Sequence, residues 1–86
     1  MSNPKKTLER LLSGQADANI AFADLVRLLD KLGFGSRIKG SHHIFYRNGI
    51  DEILNLQPKG SQMKSYQVRQ VRDVVLKYKL SLERNV

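Results

Sequence analysis

The stretch HHIFYRNGIDEILNLQ, His42 to Gln57, decides the fold. Two apolar runs flank Asn48-Gly49, and both of those residues tolerate the positive φ that a type I′ turn demands, so the pair reads as a hairpin loop. Strands are predicted over 42–47 and 52–57, with a third upstream over 34–39. A two-residue loop sets the register: Arg47 opposite Ile50, Phe45 opposite Glu52, His43 opposite Leu54 and His42 opposite Asn55. Alternation then places His42, Ile44, Tyr46, Ile53 and Asn55 on one face. His43, Phe45, Ile50, Leu54 and Leu56 fall on the other. The second set is the more apolar and is expected to face the helices, which leaves His42 on an open face.

Outward from the hairpin, the flanking segments read as helices. Asn3 can cap a first helix, Pro4 suits its first position, and Leu8, Leu11 and Leu12 form a stripe that Gly14 ends. Residues 15–19 are polar and loop-like. A second helix carries Phe22, Leu25, Val26, Leu29 and Leu32 at helical spacing, with Gly33 just past its end. Ala21 stands at its cap position and is a weak capper, so a loose start is expected. Pro58, Lys59 and Gly60 break the chain after the third strand. The last helix starts near Ser65, read as its cap, and runs to about Lys79, burying Val68, Val71, Val75 and Tyr78 while Arg69, Gln70, Arg72 and Asp73 stay solvated. The order is α-α-β-β-β-α, an α+β fold with a three-stranded antiparallel sheet and helices on one face.

Composition narrows the function classes. The 86 residues suit one domain, expected to span 1–86, and 41% hydrophobic content supports a folded core. No cysteine is present, which excludes disulfides and thiolate metal sites and makes a reducing, cytoplasmic setting the expectation. The basic, polar N-terminus lacks an apolar signal region, and no run approaches the ~20 apolar residues that cross a bilayer. The net charge of +7 and pI near 10.1 point to an anionic partner: nucleic acid, a membrane surface or an acidic protein.

His42 and His43 are the only histidines. His42, after Lys39-Gly40-Ser41, suits general acid–base chemistry or a phosphate contact, because imidazole titrates near neutral pH. An ordinary surface histidine at a strand start fits the same residues. Gly40 is read as permitting close approach of a ligand or backbone. His43 reads as a histidine tucked against the helices with its ring hydrogen-bonded. A metal site is disfavoured: adjacent strand residues point apart, and no third histidine or cysteine exists. Gly33 and Gly35 lack the spacing of a phosphate-binding loop. The basic-glycine-to-aromatic pattern partly imitates an RNA-recognition-motif strand, but Ser41 and His43 stand where stacking aromatics belong.

The stretches KLGFGSRIKGSHHIFYRNG and EILNLQPKGSQMKSYQVRQVRDVVLKYKL resemble the HicA toxins of toxin–antitoxin systems, small mRNA interferases with a double-stranded-RNA-binding-domain-like fold. The resemblance runs from Phe22 to about Leu80. It rests on Gly33-Phe34 after a helix, Gly40-Ser41-His42 opening a strand, and Tyr66-Gln67-Val68 at a helix start. It implies that His42 is catalytic and His43 a companion, and that a HicB-type antitoxin binds and masks the histidine. The first helix, up to about Asn19, is additional to the family pattern.

The activity so implied is a metal-independent endoribonuclease without a cofactor, cutting RNA to a 2′,3′-cyclic phosphate and a 5′-OH. Arg37, Lys39, Arg47 and Lys64 are candidates to hold RNA phosphates, with Gly40, Ser41 and His43 beside them. The rival reading is a non-catalytic double-stranded-RNA-binding module, which needs no histidine. A small DNA-binding protein lacks support, because no helix carries adjacent base-reading side chains.

Overall fold

The computed structural model describes residues 3–82. Helix α1 spans Pro4–Ser13, α2 Phe22–Lys31 and α3 Ser65–Lys77; strands β1 Gly35–Lys39, β2 His42–Tyr46 and β3 Leu54–Leu56 lie between α2 and α3. The strands form one antiparallel sheet in the order β1-β2-β3. The α+β class and the α-α-β-β-β-α order hold, consistent with a double-stranded-RNA-binding-domain-like arrangement.

Local chemistry explains the helix ends. Asn3 Oδ1 accepts from the Lys5 N–H at 3.0 Å, and Pro4 opens α1. At the end of α2, Gly33 adopts φ +90°, while its N–H reaches the Asp30 carbonyl and that of Phe34 reaches Leu29. This is a Schellman closure, which needs a left-handed residue at Gly33. Ala21 makes no side-chain cap, yet α2 does not start loose: the Phe22 N–H donates to the Ser61 carbonyl at 2.9 Å. The loop before α3 thus supplies the missing acceptor. Helix α3 begins one residue earlier than expected, with Lys64 as its uncapped N-cap and Ser65 inside the helix.

The sheet departs from expectation in its loops and register. The tight two-residue hairpin is Gly40-Ser41, between paired Lys39 and His42. Gly40 has φ +63° and Ser41 a negative φ, the signs of a type II′ turn. No protein atom lies within 4 Å of a Cβ at Gly40, so the turn, and not a close approach of backbone, calls for glycine there. Asn48-Gly49 does turn the chain, with the Ile50 N–H on the Arg47 carbonyl, but only Gly49 has positive φ. Those are type II signs, not type I′.

Strand β3 consequently starts at Leu54, and Phe45 pairs with Leu54, Ile44 with Asn55 and His43 with Leu56. The register is displaced by two residues from expectation. The cause is Glu52. Opposite Phe45 it would have pushed a carboxylate toward the core; instead it bonds Lys77 and the Tyr78 hydroxyl at the end of α3. The Asp51 N–H also donates to that hydroxyl. Leu54 takes the place beside Phe45.

The core gathers Leu11, Ile20, Leu25, Leu28, Leu29, Phe45, Leu54, Leu56, Val68 and Val71 between the helices and one sheet face. Leu11 is fully buried, so α1 is part of this core, although Leu12 of the expected stripe is exposed. Arg72, expected in solvent, is largely covered: it forms a bidentate pair with Asp17 at 2.7 and 3.2 Å and donates to the Leu11 carbonyl. Arg72 thereby holds the Asp17 carboxyl below its ordinary range and ties the 15–19 loop to α3.

Candidate active site

The two histidines diverge as strand alternation requires. His43 points to the helices, where its ring meets Phe22 edge-on at 4.7 Å between centroids. Among the described residues this ring contact, rather than the expected hydrogen bond, holds it. His42 is exposed on the other face, at the tip of the β1–β2 hairpin. The two-residue register error left this assignment intact, because an even shift keeps every side chain on its face.

His42 Nδ1 lies 2.9 Å from Asn55 Oδ1. An amide oxygen only accepts, so in the tautomer that makes this bond Nδ1 is the donor and Nε2 of the neutral ring keeps its lone pair. Ser41 is anchored beside it by Gln57 Nε2, which donates to Ser41 Oγ at 3.1 Å. Both anchors trace back to one buried side chain. Gln67 of α3 donates from Nε2 to the Asn55 carbonyl, and its Oε1 accepts from the Gln57 N–H, each at 3.2 Å. Gln67 is only 4% exposed and uses both ends of its amide to lock β3. The sequence does not reveal this polar chain: Gln67 enters there only through the Tyr66-Gln67-Val68 motif.

The cations divide into groups. Lys39 pairs across the sheet with His42, and Arg37 pairs with Ile44 one row further along. Both share the face of His42, with Gly40 and Ser41 forming the turn between. Lys64 lies in a shallow depression also lined by Gln57, Pro58, Lys59 and Tyr66, reached from the hairpin tip through Gln57. Arg47 is not brought to His42. It follows the far end of β2 and rests beside Gly33, where a Cβ would come within 3.6 Å of its Nε. Among the described residues no cluster of three or more histidine, aspartate or glutamate side chains is suited to holding a metal. Likewise no described helix is long and apolar enough to cross a membrane.

The family model described as the HicA toxin of bacterial toxin-antitoxin matches residues 22–78, from the start of α2 to the end of α3. No curated protein and no solved structure matches the chain. The matched region contains the whole sheet, both histidines and Gln67. By this match the chain belongs to the HicA family, the toxins of toxin–antitoxin systems, whose partners are antitoxins.

Proposed function

We propose that the protein is an mRNA interferase, a metal-independent endoribonuclease acting in the cytoplasm, with His42 as its general base. The observation that carries this reading is the setting of His42, exposed on an open, cationic face with its Nδ1 engaged by Asn55, which leaves Nε2 for a substrate. Nε2 takes the proton from an RNA 2′-OH; O2′ attacks the adjacent phosphorus, and the P–O5′ bond breaks. The 5′ oxygen leaves and is protonated by solvent, since the second imidazole faces the helices. The products are a 2′,3′-cyclic phosphate and a 5′-OH.

Lys39, directly across from His42, and Arg37 in the next row offset charge on the phosphates. Lys64 and Lys59 extend the cationic track beyond the hairpin tip. One general base contributes about 10²–10⁴-fold, so turnover is slow. A HicB-type antitoxin that covers the open sheet face blocks RNA and His42 together. The same exposure of the face allows both events.

The test is incubation with a defined mRNA in EDTA, beside His42→Ala, with the cleavage ends mapped. Cleavage to 5′-OH ends by the parent alone supports the proposal. Equal RNA binding without cleavage by either protein favours a non-catalytic RNA-binding module.

A further inference from the structure

Tyr46 ends β2 on the same face as His42, and the catalytic reading gives it no task. It pairs across the sheet with Gly35. A Cβ on Gly35 would fall 2.7 Å from Tyr46 Cε1 and 2.9 Å from Cζ. The ring therefore lies across β1, over the space that any other residue would fill. One side of it rests on backbone, while 46% of the residue remains exposed. An aromatic ring that already packs on backbone on one side and stays partly exposed loses less conformational freedom when something stacks on it than a ring free in solvent does.

Its neighbours specify the ligand. From the hairpin tip, the open face of β1 and β2 runs Lys39 with His42, then Arg37 with Ile44, then Gly35 with Tyr46. No acidic side chain occupies any of those positions. His42 and Tyr46 are four residues apart on one strand, about 13 Å at the usual rise. Two cations followed by an exposed ring in one line match the way proteins bind single-stranded nucleic acid, with charge tracking the backbone and aromatics receiving bases.

We propose that Tyr46 is a base-stacking platform: an unpaired nucleobase, displaced along the strand from the phosphate held at His42 and Lys39, stacks on its outward face. The inference rests on the RNA-cleaving reading and adds a substrate-binding residue to it. The ligand is single-stranded RNA, because a base inside a duplex presents no free face to the ring.

The experiment uses the full chain carrying His42→Ala, so that the probe stays intact. The affinity of a labelled eight-nucleotide single-stranded RNA is measured by fluorescence anisotropy. It is repeated with Tyr46→Phe and Tyr46→Leu, and with probes carrying one abasic nucleotide at each position in turn. Tyr46→Phe should bind as the parent does, and Tyr46→Leu about five- to a hundredfold more weakly. One abasic position should reproduce that loss with Tyr46 present and add nothing in Tyr46→Leu. If every abasic probe binds the Tyr46 protein equally, the proposal is overturned, whatever Tyr46→Leu does to folding. If Tyr46→Leu folds and binds as the parent does, the ring merely covers Gly35. If neither this protein nor the chain with His42 intact binds single-stranded RNA, the RNA-cleaving reading fails along with the proposal, an outcome distinct from binding that ignores Tyr46.

Discussion

The two faces of β2 carry the same residue type at adjacent positions and treat it oppositely. On the covered face His43 meets the Phe22 ring, in a layer with Phe45, Leu54 and Leu56. On the open face His42 meets an asparagine, a lysine across the sheet and solvent. Neither difference lies in the histidines; both follow from the two-residue alternation of a strand covered on one side. Burial is spent on stability on one face, while exposure leaves a titratable nitrogen available on the other. The polar chain through Gln67 joins the faces, since it starts inside the core and ends on the residues that hold Ser41 and His42.

The largest effect should come from exchanging the two histidines' fates. His42→Ala is expected to lower the cleavage rate by about 10²–10⁴-fold while leaving the unfolding midpoint within a degree or two of the parent. His43→Ala should do the reverse, lowering the midpoint through the lost Phe22 contact and sparing most of the activity. Parallel kinetics and thermal melts decide it. Loss of cleavage in His43→Ala alone would reverse the roles of the faces.

The covered face can be tested apart from the site through α1, which lies outside the family-matched region. Leu11→Ala removes a fully buried side chain and should cost about 2–5 kcal/mol in denaturant unfolding. If Leu11→Ala proves neutral, α1 is an appendage and not part of the core.

Gln67→Leu addresses the link between the faces. It keeps similar bulk but strips the partners from the Gln57 N–H and the Asn55 carbonyl, at a cost of about 1–3 kcal/mol. Measured well below its melting temperature, the variant should also cleave more slowly than the parent, because Asn55 and Ser41 lose their anchor. Full activity in a folded Gln67→Leu protein would show that the site does not depend on the core.

The smallest effect concerns acid. Lys77, and then the Tyr78 hydroxyl, lower the Glu52 carboxyl from its ordinary 4.5 to about 2. A lowered folded-state value means that this stabilisation is complete above pH 4.5 and fades as pH falls toward 2. Asp17, lowered mainly by Arg72, acts in the same direction. The melting temperature should therefore fall over that window, and Glu52→Gln should fall less steeply. Identical slopes would mean that the Glu52 contacts do not anchor the start of β3.

The element order was legible because each element rests on local patterns: the leucine and valine stripes, Pro4, Gly33, and the apolar runs flanking Asn48-Gly49. The face of His42 was legible for a more particular reason, since alternation survives any register shift of two. The register itself was not legible. It depends on Glu52 finding Lys77 and Tyr78, residues 25 and 26 positions further along. The tight turn was assigned to the wrong glycine pair for a related reason: Asn-Gly is the stronger local signal, but the chain closes its shortest hairpin at Gly40-Ser41.

By itself, then, the sequence determined the α+β class, the helical stripes, the family resemblance and the separation of the two histidines. All of these depend on neighbours within a few residues or on a pattern of residue types. The tertiary structure alone decided that Asn55 holds His42, that Gln67 holds Asn55, that Arg72 leaves solvent for Asp17, and that Tyr46 lies over Gly35. Each of these joins residues distant along the chain, and a polar side chain reveals its partner only when folding removes the water that would otherwise satisfy it.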